Sequence, residues 1–201
     1  MTRIEKVVTS GVFSLDGEDF DVDNNIWLIG DDSEVLIVDA AHDAAPIVAA
    51  VAGRRAVGIV CTHGHNDHIN AVGDLYDAVR APIHLHPGDR MLWDAVYPEV
   101  GPDLELADGD VLTVAGTSLH VLNTPGHSPG SCCLYAAELG VLFSGDTLFN
   151  GGPGATGRSY SDHPTIVASI ADRLLTLPPE TVVHTGHGED TTIGAEADRA
   201  G

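Results

Sequence analysis

Short apolar runs broken by turn residues dominate the first third of the chain. Residues 4–12, 25–29 and 35–38 are rich in β-branched side chains and predict strands. Gly30-Asp31-Asp32, between the last two, predicts a hairpin turn. Residues 46–51 predict a helix, with Asp43 as its cap and Gly53 as its stop. Residues 58–61 predict another strand, which ends abruptly at Thr62 and a polar, histidine-rich loop. A helix through 75–79 and a strand over 82–85 follow. The second half repeats the mixture. Residues 111–114 and 118–122 pair around Gly116, and 132–135 and 141–143 pair around Gly140. Residues 164–175 predict a helix closed by Pro178-Pro179, then comes a strand over 181–183 and a last helix over 193–199. Strand groups with intervening helices imply a layered α/β or α+β domain. The glycine-rich stretch 151–157 lies inside this pattern, so it predicts a mobile loop at a site rather than a linker.

Composition narrows the class. A chain of 201 residues fits one domain, 1–201, that buries a core without disulfide staples. Aromatic residues are only 5%, so that core must rest on Val, Leu, Ile and Ala. Thirty acidic against nine basic residues give a formal charge of −21, which repels phosphate backbones and anionic lipid. Nucleic-acid and membrane partners are therefore not expected. No apolar run approaches the ~20 residues of a membrane span, and the first residues hold no apolar signal segment. Cys61, Cys132 and Cys133 make a poor disulfide framework and read as small buried hydrophobes. The expected compartment is the cytoplasm. Histidine is the outlier: eleven in a chain with a single lysine.

The densest chemistry is Thr62-His63-Gly64-His65-Asn66-Asp67-His68, at the end of an apolar strand. In an extended loop, positions i and i+2 point the same way, so His63 and His65 can grip one ion while Asp67 and His68 turn toward another. Imidazole and carboxylate suit zinc, and also iron or manganese. Three further segments place a small residue and then a ligand type after an apolar strand: Thr124-Pro125-Gly126-His127, Ser144-Gly145-Asp146 and Thr185-Gly186-His187-Gly188. His84 and His86 alternate along a strand, but no Asp-His follows, so a structural role is expected for them. His42, His120, His163 and His184 have no motif around them; His184 is placed to support the His187 loop.

Asp39 after a strand, THGHNDH, TPGHSPGS, SGDTLF and TGHGEDTTIG occur in one order along nearly the whole chain. In this they resemble the metallo-β-lactamase-fold metallohydrolases, and within them the glyoxalase II-like (hydroxyacylglutathione hydrolase-like) single-domain branch. The resemblance implies an α+β fold, a four-layer αββα sandwich with its site at one sheet edge. It implies two divalent metal ions, zinc first and iron or manganese as alternatives. His63, His65 and His127 would hold the first, Asp67, His68 and His187 the second, and Asp146 would bridge both. Asp39 would accept an N–H from a ligating histidine and fix its tautomer. A hydroxide shared by the two ions and oriented by Asp67 would attack a thioester carbonyl, making Asp67 catalytic as well as a ligand.

The resemblance also discriminates. Zinc β-lactamases similar to this pattern lack an aspartate at the Asp146 position, which disfavours antibiotic hydrolysis. The longer glyoxalase II enzymes carry an extra helical domain with glutathione-contacting residues, whereas this chain stops soon after His187. Single-domain relatives often read GRTD where this chain has Gly157-Arg158-Ser159-Tyr160. Arg158 and Tyr160 are thus candidate substrate contacts, Arg158 as an anchor for a carboxylate or, alternatively, as a surface ion pair. The expected substrate is a small-molecule thioester. Eight arginines to one lysine hint at a GC-rich source, and so at an S-acyl or S-formyl mycothiol. A lactonase or a single-iron persulfide dioxygenase on the same fold is the alternative, and a non-catalytic metal-binding module a distant one. A homodimer is an admissible assembly.

Overall fold

The computed structural model describes residues 1–197 and 199. Two long strands, β1 (Arg3–Leu15) and β2 (Glu18–Gly30), form a hairpin paired from Arg3↔Gly30 to Leu15↔Glu18. Its turn residues Asp16 and Gly17 both have positive φ, 56° and 77°, a turn whose twist matches that of the strands. β3 (Glu34–Val38), α1 (Ala44–Val51), β4 (Arg55–Val60), α2 (Asn66–Ile69), α3 (Val72–Val79), β5 (Ile83–Leu85), α4 (Arg90–Val96) and β6 (Leu104–Glu105) follow. The six strands form one sheet in the order β1-β2-β3-β4-β5-β6. After them come β7 (Val111–Val114), β8 (Thr117–Asn123), β9 (Cys132–Ala136), β10 (Val141–Gly145), the ribbon β11 (Leu148–Phe149) and β12 (Gly152–Pro153), and α5 (His163–Ser169) with a π-helical continuation, Ile170–Leu174. β13 (Val182–Thr185), β14 (Thr191–Thr192) and α6 (Ile193–Glu196) end the described chain. The second sheet runs β14-β13-β10-β9-β8-β7.

The layers follow from the two-residue period of the strands. Ile26, Leu28, Val35, Ile37 and Ile59 pack against Ile47 and Val51 of α1 and Val72 and Leu75 of α3. Their neighbours Trp27, Ile29, Leu36, Val38 and Val60 face the other way, onto Leu119, Val121, Leu134 and Phe143 of the second sheet. Cys133, Leu142 and Val183, on that sheet's far face, pack against Ile166, Ile170, Leu174 and Ile193 of the C-terminal helices. Helix, sheet, sheet, helix is the αββα sandwich expected from the sequence.

Most predicted elements stand with shifted ends. Asp43 caps α1 by accepting from Ala45 N, and the helix closes through left-handed Ala52 and Gly53. The last helix, expected over 193–199, is helical at Ile193–Glu196, and its position 198 lies outside the described residues. The stretch 151–157, expected to be loop, is partly strand: Phe149 pairs with Gly152 and Leu148 with Pro153. β1 and β2 extend well beyond the predicted strands 4–12 and 25–29, and their pairing as a hairpin, α2, α4 and four two-residue strands were not anticipated. Among the described residues no helix is long and apolar enough to cross a membrane.

The cysteines are buried small hydrophobes, as expected: Cys61, Cys132 and Cys133 are free and at most 1% exposed. Burial pushes the Cys132 and Cys133 thiols up to about 12 and about 11, and holds Cys61 well above its usual range. A thiolate is the reactive form. Native protein at about pH 8 should therefore leave a chromogenic disulfide reagent unreacted, while denatured protein titrates all three thiols. Rapid reaction of any of them in the native state would contradict the packing.

Candidate metal centre

Each chemistry-bearing segment leaves a buried strand at the same edge of the sandwich. His63 and His65 follow β4, and Asp67 and His68 lie on α2 immediately after. His127 follows β8, Asp146 follows β10 and His187 follows β13. Close approach is bought sterically by glycine at the last of these. A Cβ on Gly186 would stand 2.3 Å from Asp146 Oδ1 and 2.9 Å from His68 Cε1.

Among the described residues, three groups have ligand atoms all within 4.8 Å of one another: His63/His65/His127, His63/His68/Asp146 and Asp67/His68/His187. All seven residues expected from the sequence are in them. Asp146 sits between the outer two groups, its Oδ2 3.5 Å from His127 Nε2 and 3.4 Å from His187 Nε2, its Oδ1 3.3 Å from His68 Nε2.

The tautomers are fixed by groups that can only accept. His68 Nδ1 donates to Asp39 Oδ2 at 2.8 Å, His127 Nδ1 to Ala155 O at 2.8 Å, and His187 Nδ1 to Asp23 O at 2.8 Å. Thr62 Oγ1 donates to Asp39 Oδ2 at 2.9 Å and so is free to accept from His63 Nδ1 at 3.1 Å. In the neutral rings, each remaining Nε2 then presents a lone pair to the centre. His68 Nε2 and His187 Nε2 face each other at 3.1 Å, and His65 Nδ1 faces His127 Nε2 at 3.0 Å. His63 Nε2, His65 Nε2 and Asp146 Oδ1 are buried without a hydrogen-bond partner. Lone pairs and carboxylates converging in a buried pocket repel unless a positive charge lies among them. The donor set, imidazole nitrogen with carboxylate oxygen, is one that zinc, iron and manganese take. The residues therefore fit a pair of divalent cations.

The titration directions agree. Burial alone would push His187 down, but the Asp146 and Asp67 carboxylates raise it to about 10. His68 is likewise raised against its burial, by Asp146, Asp67 and Asp39. On the other side, burial and the neighbouring His127 hold His65 down at about 3, and burial with His68 and His65 holds His63 well below its usual range. Burial would raise Asp146, but His68 and His187 hold its carboxyl well below the usual carboxylate range. Ionised Asp146 beside neutral His63 and His65 is the protonation state that metal binding requires, while the protons held by His68 and His187 are the ones a cation would displace on binding.

Asp39, expected to orient a histidine, does so, and its carboxylate also accepts from Thr62 N at 2.8 Å. His184, expected to support the His187 loop, pairs with Asp190 at 2.9 Å within that loop. Other supports were not anticipated. Asn24, fully buried on β2, donates to Asp67 Oδ2 at 3.0 Å, and its Oδ1 lies 2.8 Å from His42 Nε2. Phe13 of β1 packs edge-on against His65, ring centroids 5.2 Å apart.

Phe13 and Leu15 from the hairpin, with Ala155 and Arg158 from the loop after β12, line a cavity of about 50 Å³ beside His65 and His127. Arg158 is there in an ion pair: its guanidinium meets Glu18 at 2.7 Å and lies 4.4 Å from the Phe20 ring centroid. Ser159 N donates to Asp16 at 3.0 Å, so the hairpin tip and the loop are joined across this mouth. Tyr160 is exposed at positive φ, and the cavity is lined by Ser159 and Ser161 on either side of it.

Comparison with known proteins bears on the same residues. A family model described as the metallo-beta-lactamase superfamily matches residues 20–187, a span holding all seven converging groups. The chain is similar to the hydroxyacylglutathione hydrolase GloC of Haemophilus influenzae, 30% identical over 188 residues that cover 86% of this chain and 89% of the relative. Among solved structures it is similar to the B3 metallo-β-lactamase BLEG-1, with a TM-score of 0.80, 32% identity, and coverage of 94% of this chain and 97% of that one. It is also similar to TTHA1623, solved in a di-iron-bound form, with a TM-score of 0.76, 34% identity, and coverage of 89% and 94%.

Proposed function

The chain belongs to the metallo-β-lactamase superfamily, and from that membership we propose that it is a metal-dependent hydrolase cleaving a thioester of a small thiol, with two divalent cations, zinc by preference, as cofactors. The observation that carries the reading is the central position of Asp146, within 3.5 Å of ring nitrogens from both histidine groups. In this reading His63, His65 and His127 would hold one cation and Asp67, His68 and His187 the other, with Asp146 placed to serve both. Such a pair, when bound, supplies an activated water at neutral pH and polarises a carbonyl.

The rest is the work of the side chains. Asp39, Ala155 O and Asp23 O keep the ligating rings in the tautomer that offers Nε2. Asn24 donates to Asp67 Oδ2, the oxygen that stands 3.4 Å from His187 Nε2 and 3.5 Å from His68 Nε2, and so fixes its direction. Phe13 and Leu15 keep the His65–His127 side dry and apolar, which strengthens charge interactions inside it. Thioester chemistry is favoured by the likeness to GloC. The likeness to BLEG-1 favours a β-lactam as second reading.

The test is elemental analysis of freshly purified protein, coupled to a panel of thioesters, lactones, β-lactams and a persulfide. Two cations per chain with thioester turnover is the expected result, and glutathione and mycothiol thioesters separate the carrier thiols. One iron per chain with oxygen uptake on the persulfide would replace the hydrolase by a dioxygenase. β-Lactam turnover without thioester turnover would select the second reading, and inertness to the whole panel would leave only a metal-binding module.

A further inference from the structure

Asp89, at the start of α4, is 0% exposed. A buried carboxylate is costly unless its charge is met. Here three donors from two different loops meet it. Gly64 N donates to Oδ2 at 2.8 Å, Ser128 Oγ to the same oxygen at 2.6 Å, and Gly130 N to Oδ1 at 2.6 Å. Gly64 lies between His63 and His65, and Ser128 directly follows His127. One carboxylate thus ties the peptide between two of the converging imidazoles to the peptide beside the third.

The backbone is shaped around this tie. A Cβ on Gly64 would stand 3.0 Å from Asp89 Cβ, and one on Gly130 would stand 2.8 Å from Asp89 Cγ. Both loops therefore approach the aspartate more closely than any other residue type allows. Ser128 is itself held, its Oγ 2.7 Å from Ser131 Oγ and its N donating to that same oxygen at 3.1 Å. Asp39 does the matching work on the opposite side of the same loop, through Thr62 and His68. Apolar packing would join the loops as firmly, but it would not fix their peptide orientations; charge-assisted hydrogen bonds do.

We propose that Asp89 is a positioning residue that locks the His63–His65 loop to the His127 loop and so sets the spacing of the three imidazoles at one cation. The proposal rests on the two-cation reading above. Zinc titration of the full-length, metal-free chain against a chromophoric chelator tests it, with His127→Ala and His187→Ala used to assign the two binding events. Asp89→Asn puts an amide where one acceptor oxygen stood. It should weaken the event that His127→Ala removes by about 10- to 100-fold and leave the other within about twofold. Ser128→Ala should shift the same event in the same direction by less, and it decides the matter if Asp89→Asn does not fold. Both events unchanged, or both weakened in equal proportion, would overturn the proposal, since a general loss of structure does not choose between sites. If the wild type binds a single cation, the two-cation reading falls, and weakening of that event or its absence still decides the role of Asp89.

Discussion

Asp146→Ala should strip the protein of both cations and lower turnover of its substrate by at least about 10²–10³-fold, the scale on which removing one preorganised electrostatic stabiliser acts. The Asp146 carboxylate stands within 3.5 Å of ring nitrogens from both histidine groups. His127 Nε2 and His187 Nε2 stand near its Oδ2, and His68 Nε2 near its Oδ1. Removing it leaves two sets of lone pairs without their shared anion, and each set then holds a dication with one ligand fewer. Asp146→Asn keeps the shape and loses the charge, so it should retain fold and lose metal. The measurement is metal content by elemental analysis beside kcat, with circular dichroism as the check on folding. An Asp146→Ala protein that keeps two cations per chain would sink the bridging assignment. One that keeps a single cation and full activity would sink the two-cation mechanism.

The metal centre was legible because its groups come in short segments that each end a strand. The chain cannot place His63, His65, Asp67 and His68 within six positions after an apolar run without bringing them to one sheet edge. What the sequence hid are the residues that act from far along it. Asn24 reaches Asp67 across 43 positions and Asp89 reaches Gly130 across 41. Neither sits in a motif, and neither residue type announces a role until its partner is known. The hairpin arm was missed for a different reason. Residues 18–23 carry four carboxylates and received no assignment from the sequence, yet Phe20 and Val22 alternate with Asp19, Asp21 and Asp23. That alternation is the strand signal, and weighing it above the charge would have extended β2 to its observed start. β6, β11, β12 and β14 are two residues each, too short for any period to show.

Arg158 illustrates a limit of reading by resemblance. Its motif position points to a substrate carboxylate, and the structure spends its guanidinium on Glu18 and the Phe20 ring. Both partners lie at the start of β2, in a segment to which the sequence alone assigned no element. An arginine's availability depends on what folds opposite it, and that was the part of the chain not yet placed.

Removing the cations should cost the fold measurably, and the cost should grow with pH. A ligand that binds only the folded state adds about 2.7 kcal/mol of stability at 100 times its Kd. In a chain of this length each kcal/mol moves Tm by about 2–4 °C, so each site saturated to that degree is worth roughly 5–11 °C. In the stripped protein a proton stands in at His187, which the Asp146 and Asp67 carboxylates, outweighing burial, raise from 6.5 to about 10. A histidine raised in this way adds stability that is complete below about pH 6.5 and is lost as the pH climbs through about 10. The proton thus covers for the missing cation in acid and fails to do so in alkali, while deprotonated ligands bind the cation more tightly as pH rises. Thermal melts of loaded and chelated protein should lie closest together near pH 6 and furthest apart near pH 10. Coincident melts at every pH would mean that no cation is bound at these groups, and a gap widest in acid would mean that the carboxylates do not raise His187 at all.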